Sequence, residues 1–494
     1  MTSKHWTLVG GAVACLSTFS LAAAPWLEPG DPRARYAVQK LADRGHMNRS
    51  VTTWPMMWSA LEAGNQTSIK ADQPSVGLAS AYLRFEKEEQ AKPGFRGEFS
   101  ASAQSEIPAI TGFSNNNLTK AGTSLNLQWL GDTWALGLNP AYTNNPDDDE
   151  EFRLDGSYLA ATASNWVFGA GAIDRWWGPG WQSSLILSNN ARPIPSVWIN
   201  RNDTRAFETP WLSWIGPWQF TVMAGQYESD RAVPDAKFIG MRFTFRPVDG
   251  LDIGLSRALM VGGEGRPEDA STLWDALIGR DNSQDGPEND PGNQLGSIDI
   301  RYGFAVGEQS MSLYTQMMGE DEAGAFPAKK SWMFGGDWTS QLLNSEQQWF
   351  VEYTNTLADD VIGSAAPNVS YEHFQYRSGY RHYGRNMATG FDGDAEAVTL
   401  GAYHFLDNGS NLTAKASYAE LNKDGGNRTV VTNDNVFYTA PIDSQHVAIL
   451  DLGYGTQAFA GWLDLTLQVT DKKIEYISGK KDQWSAGASW TYRF

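Results

Sequence analysis

The chain has 494 residues, among them 21 Trp, 22 Phe, 18 Tyr and 49 Gly, with a formal net charge of −19 and a single cysteine. The acidic balance disfavours nucleic acid as a partner. The lone cysteine excludes an internal disulfide, and the lack of an 18-residue apolar run after the first two dozen residues excludes membrane helices.

At the N-terminus, Lys4 and His5 precede a mildly apolar run over 6–21 and the small residues Ala22, Ala23 and Ala24. This is the order of a secretory signal peptide, expected to span 1–22, and Cys15 would leave with it. A helical periplasmic segment is expected over 23–92. Asp31 followed by Pro32 reads as an N-cap with proline at the first helical position, and Gly45 as the glycine that ends the helix. Pro55 is expected to begin a second short helix with Met57, Trp58 and Leu61 as its apolar stripe and Gly64 at its end. Pro74 to Gln90 forms a third, with Val76, Ala79, Tyr82 and Leu83 at helical spacing.

From position 93 to the end the period changes to two. Phe95, Gly97, Phe99, Ala101 and Ala103 alternate with Arg96, Glu98, Ser100, Ser102 and Gln104; Leu463, Leu465, Leu467 and Val469 alternate with Asp464, Thr466, Gln468 and Thr470. Strands are expected near 94–104, 121–131, 133–142, 152–162, 165–174, 194–202, 217–228, 236–247, 250–259, 295–305, 309–319, 331–341, 346–356, 396–406, 411–421, 444–457, 461–471 and 483–494. Tight connections such as Asp249-Gly250 alternate with long ones such as 357–395, as short periplasmic turns alternate with long external loops in a transmembrane barrel. Two connections fit this rule poorly: 229–235 is short for an outer loop and 203–216 long for a turn. The pattern predicts an all-β transmembrane fold, an 18-stranded antiparallel outer-membrane β-barrel with a small N-terminal α-helical bundle. The last strand ends on alternating Trp484, Trp490, Tyr492 and Phe494.

Several segments resemble the capsule-assembly proteins of the Wzi type. They are Trp26-Leu27-Glu28-Pro29-Gly30-Asp31-Pro32, Thr52-Thr53-Trp54-Pro55, and above all Asp174-Arg175-Trp176-Trp177-Gly178-Pro179-Gly180-Trp181 continuing through Ser188-Asn189-Asn190-Ala191-Arg192-Pro193-Ile194-Pro195. The resemblance covers about Trp26 to Phe494. It implies an 18-stranded outer-membrane barrel acting as a lectin that retains capsular or extracellular polysaccharide at the surface of a Gram-negative cell. It also implies that Phe494 belongs to a signal read by the barrel-assembly machinery. Outer-membrane lipid is the expected surrounding, the monomer the expected state, and no cofactor is expected. The alternative reading is a porin or saccharide-permeable channel.

Sugar recognition needs aromatic faces for the apolar ring surface and planar hydrogen-bonding side chains for hydroxyls, with Arg forks added for acidic sugars. Two regions supply this mixture. The first is Arg175, Trp176, Trp177, Trp181, Asn189, Asn190 and Arg192; its competing reading is a loop that folds inward and packs the pore. The second is Tyr376, Arg377, Arg381, Tyr383 and Arg385, within a basic and aromatic stretch that would offer an anionic polymer a local positive surface; its competing reading is a barrel strand with lumen-facing arginines. Ser378 and His382 lie close in sequence without a nucleophile motif around them, so no enzyme is expected. Asp281, Ser283, Asp285 and Gly286 imitate the start of a calcium loop, but its twelfth position is Gly292. Asp147 to Glu151 reads as a solvated loop tip, and no metal site is expected.

Overall fold

The computed structural model describes residues 26–63, 74–269, 271, 292–323, 326–342, 345–359 and 365–494. The signal-peptide region, Gly64 and the Asp281 to Gly286 segment lie outside the described residues. Eighteen antiparallel strands close into one barrel. In chain order they are β1 (Gly94–Gln104), β2 (Ala121–Leu130), β3 (Trp134–Leu138 continued by Ala141–Asn144), β4 (Phe152–Arg153 continued by Tyr158–Ala163), β5 (Trp166–Gly171), β6 (Ser196–Arg201), β7 (Trp218–Gln226), β8 (Lys237–Val248) and β9 (Leu251–Val261). They continue with β10 (Gly292–Val306), β11 (Gln309–Ala323), β12 (Phe326–Leu342), β13 (Ser345–Asp359), β14 (Glu396–Phe405), β15 (Asn411–Leu421), β16 (Gln445–Ala458), β17 (Gly461–Thr470) and β18 (Trp484–Arg493). Closure pairs β18 with β1 in the register Arg493↔Glu98 and Trp490↔Ala101. Phe494 extends it, exchanging both backbone hydrogen bonds with Gly97 at 2.9 Å.

The alternation read from the sequence is a membrane pattern turned inside out. On β8, Arg242, Thr244 and Arg246 point inward and are buried, while Ile239, Met241, Phe243 and Phe245 point outward. Outward Phe95, Leu313, Val197 and Phe334 are exposed to the surroundings of the barrel, as lipid-facing residues must be. Turns at one end are tight: Gly250, at φ +83°, supplies the left-handed residue between β8 and β9. The long 203–216 connection folds into a short 3₁₀ turn, Ser213–Ile215.

α1 (Pro32–Asp43) starts at Asp31, whose carboxylate accepts from the backbone N–H of Arg33 at 2.8 Å and Ala34 at 3.1 Å, and ends before Gly45 at φ +74°. It enters the lumen at the short-turn end. Arg33 Nη1 donates to Gly409 O and Arg44 Nη1 to Gly307 O, both in tight turns. α2 is Trp58–Ala63, three residues later than the expected start at Pro55. Met56–Met57 instead form an extended pair with Trp26–Leu27, because their backbone is claimed by that pairing. α3 (Pro74–Gln90) packs on α1 across the same end.

Candidate functional site

Three inward-folded pieces fill most of the lumen: α1, the stretch after it to Trp54, and residues 175–190. Thr53–Trp54 pair with Trp176–Trp177, so two otherwise irregular segments share backbone hydrogen bonds inside the barrel. Around them runs an aromatic ladder. Phe113 meets Trp54 at 5.3 Å and Trp176 at 5.3 Å, and Trp181 stacks on Phe350 at 6.1 Å and approaches Tyr403 at 5.3 Å. The Arg35 guanidinium lies 4.3 Å over the Trp181 ring and 4.5 Å over Phe113.

Charged residues on the inward face of the wall hold this filling in place. Asp43 forks onto Arg301 at 2.7 and 2.8 Å. Arg242 binds Asp299 at 2.7 and 3.0 Å, donates to Thr52 O at 2.9 Å, and reaches Thr53 Oγ1 at 2.7 Å. The Glu352 carboxylate accepts from the backbone of Trp181, Gln182 and Ser183 and from the Tyr314 hydroxyl, fixing the turn at 180–183 as an anion fixes a nest of N–H groups. None of these anchors was singled out from the sequence. Their signal was present, since each wall residue occupies a polar position in an alternating strand, but alternation does not say what meets it.

The predicted site residues separate into packing and partly accessible groups. Trp176, Trp177 and Trp181 are fully enclosed, which is the inward-packing arrangement. Arg175 is buried against the Trp198 ring at 5.3 Å, and burial lowers its guanidinium to about 10. Asn190 is buried, its Nδ2 donating to Asn386 O at 2.7 Å and its carbonyl oxygen receiving Arg385 Nε at 2.7 Å. Asn189 is buried as well, donating to Ser114 O at 2.9 Å.

The 371–385 stretch is neither a barrel strand nor a basic patch. It belongs to the long loop between β13 and β14 and folds over the lumen, because its tyrosines are swallowed: Tyr371, Tyr376 and Tyr380 are buried, with Tyr376 donating to Gly262 O at 3.0 Å. Arg381 is neutralised by Asp392 at 2.7 Å to both carboxylate oxygens, and Arg385 is buried on Asn190. Arg377 is exposed and Tyr383 partly so. The two predicted regions do meet. Arg192 stacks over the Tyr383 ring at 4.4 Å, and its backbone oxygen contacts His382 Nδ1 at 3.0 Å. Ser378 and His382 are not assembled as a nucleophile and base, since Ser378 Oγ accepts from Ala232 N and His382 is engaged by Arg192 and Glu228. The Asp147 to Glu151 cluster is not simply a solvated tip: Asp148 is buried between Arg153 at 2.6 Å and Arg192 at 3.0 Å, and Asp147 meets Lys481. Among the described residues no group of His, Cys, Asp and Glu is arranged to hold a metal ion.

The family model of the capsule assembly protein Wzi matches residues 94–485. The chain belongs to this family. Its structure is similar to that of Wzi, described as an outer membrane protein involved in group 1 capsule assembly in Escherichia coli and a carbohydrate binding beta-barrel. That likeness has a TM-score of 0.81 at 25% identity and covers 95% of this chain and 100% of the other. An uncharacterized 55.8 kDa protein in the cps region of Klebsiella pneumoniae is 32% identical over 331 residues, 64% of this chain and 62% of that relative's length. Across the Wzi family match, the matched span runs from β1 to the start of β18 and so contains both predicted site regions.

Proposed function

We propose that this protein is an outer-membrane lectin that holds capsular or extracellular polysaccharide at the cell surface, acting by binding rather than by catalysis. The observation that carries the reading is the filled lumen: Trp177, Trp181, Arg242 and Arg301 at its centre are all essentially without solvent contact. A barrel blocked in this way offers a polymer its outer loops and not a path. The likeness to a carbohydrate binding barrel from a capsule pathway supports the same conclusion. On the outward face, the partly exposed Tyr383 and the exposed Arg377 give an aromatic ring and a cation of the kind a polysaccharide uses. The protein works as a monomer, and the aromatic last strand with Phe494 directs its assembly into the membrane.

The test is polysaccharide retention by cells lacking the gene and carrying either the native chain or Arg377→Glu with Tyr383→Ala. Retention restored by the native chain and reduced several-fold by the double variant is the expected result. Equal retention in cells with and without the gene refutes the function. A large steady current in planar bilayers would favour an open channel instead.

A further inference from the structure

The lumen is filled unevenly, and the unfilled side has a chemistry of its own. Along β8 to β13 the inward residues Arg242, Thr244, Asp299, Gln316 and Glu352 are buried. Along β1 and β2 the inward Ser100, Ser102, Ser124 and Asn126 keep part of their surface open. A cleft of about 260 Å³ lies there, between the wall of β1 to β4 and the inward segments 116–119 and 189–193. It coincides with a break in the wall. β3 and β4 are each interrupted, at Asn139-Pro140 and at 154–157, and the gap is bridged by Asn139 Nδ2 donating to Asp155 O and the Asn139 N–H donating to Ser157 Oγ. At the short-turn end α3 closes this side, with Arg493 on Glu86 at 3.3 Å and the Arg96 guanidinium on the Gln90 carbonyl.

Its polar groups are unequally satisfied. Both lining cations are occupied: Arg192 forks onto Asp155 at 2.7 and 3.0 Å and also reaches Asp148, and Arg153 binds Asp148 at 2.6 Å. Two amide oxygens of the cleft's lining residues are unpaired. Asn189 is 5% exposed and its Oδ1 receives no donor, and the same holds for the buried Oδ1 of Asn139. Both side chains line the cleft, as does Asp174. Burial, with Glu28 and Asp155 nearby, pushes Asp174 up to about 8. Ionised, Asp174 makes three carboxylates against two guanidiniums; protonated, it offers an O–H. In neither state is there a spare cation for an anionic sugar.

We propose that this cleft is a subsite for one neutral pyranose unit, whose hydroxyls bond Asp174 and the partly open Ser100, Ser102 and Ser124, and that it rejects uronates and phosphorylated sugars. The volume is below the roughly 300 Å³ at which pockets for larger ligands begin, hence a single ring. The proposal rests on the carbohydrate-binding reading above and adds the place and the sugar class.

Saturation-transfer NMR on the full chain in detergent, with a neutral methyl hexopyranoside and with galacturonate as probes, tests it. The neutral sugar should bind, galacturonate at least tenfold more weakly. Ser124→Phe, which fills the cleft, should abolish the signal, and Asp174→Asn, which adds no bulk, should weaken binding three- to tenfold. Comparable binding of galacturonate, full binding by both variants, or no uptake of the neutral sugar by the folded native chain each overturns the subsite. Retention of polymer by cells carrying Ser124→Phe reads the outer-loop function separately, so failure of one is distinguishable from failure of the other.

Discussion

Replacing Asp43 by Asn tests whether α1 is held in the lumen by charge. The substitution keeps the shape of the side chain and removes its charge, leaving Arg301, fully buried on β10, with Asp337 at 3.6 Å as its remaining carboxylate. Removing one partner of a buried pair costs about 3–5 kcal/mol because the other charge is left uncompensated. Asp337 supplies part of that compensation, so the lower end, about 3 kcal/mol, applies. At about 1.4 kcal/mol per decade this is on the order of a hundredfold in the equilibrium for releasing the helix. The barrel ladder does not contain Asp43, so the loss should be local. Hydrogen exchange followed by mass spectrometry on peptides from Pro32–Asp43 should show protection falling about a hundredfold, with β10 to β13 unchanged. Unaltered protection in α1, or equal loss in α1 and the strands, would refute the argument that this pair secures a separable plug.

Trp181→Ala should loosen the 175–190 segment by about 3–5 kcal/mol, the usual cost of emptying a buried tryptophan site. Trp211→Ala, at a position 86% exposed, should leave thermal inactivation unchanged, and a Trp181 variant that melts like the native chain would exclude a packing role. His382 is held below its ordinary value chiefly by burial, against the opposing pull of Glu228, so it is neutral in the folded loop at pH 7. Below the ordinary histidine value the opened loop takes up a proton that the closed loop refuses, so closed-loop stability is lost as pH falls from about 6.5. At pH 5, exchange protection over 371–392 should therefore be higher in His382→Gln than in the native chain, with the two equal at pH 7.5. An equal slope in the variant would assign the effect elsewhere.

The barrel was legible because its cause is local. Alternation such as Leu463, Leu465 and Leu467 against Asp464, Thr466 and Gln468 needs only the period of a strand and two different solvents on its faces, and all eighteen expected strands form. The N-cap at Asp31 and the run Pro74–Gln90 are equally local, since capping and helical spacing act within a few residues. The start of α2 was misplaced because a distant strand, Trp26–Leu27, took Met56–Met57. What the charged and aromatic residues do was beyond the sequence for the same reason. Arg381 and Arg385 looked like a surface for anions, yet Asp392 and Asn190 claim them; Asp148 looked solvated, yet two arginines enclose it. Composition and period fixed which residues face the lumen. Only the packed fold decided which inward groups are matched, because their partners are brought together from segments hundreds of residues apart, and it left Asp174 beside an unfilled cleft whose two cations are already paired.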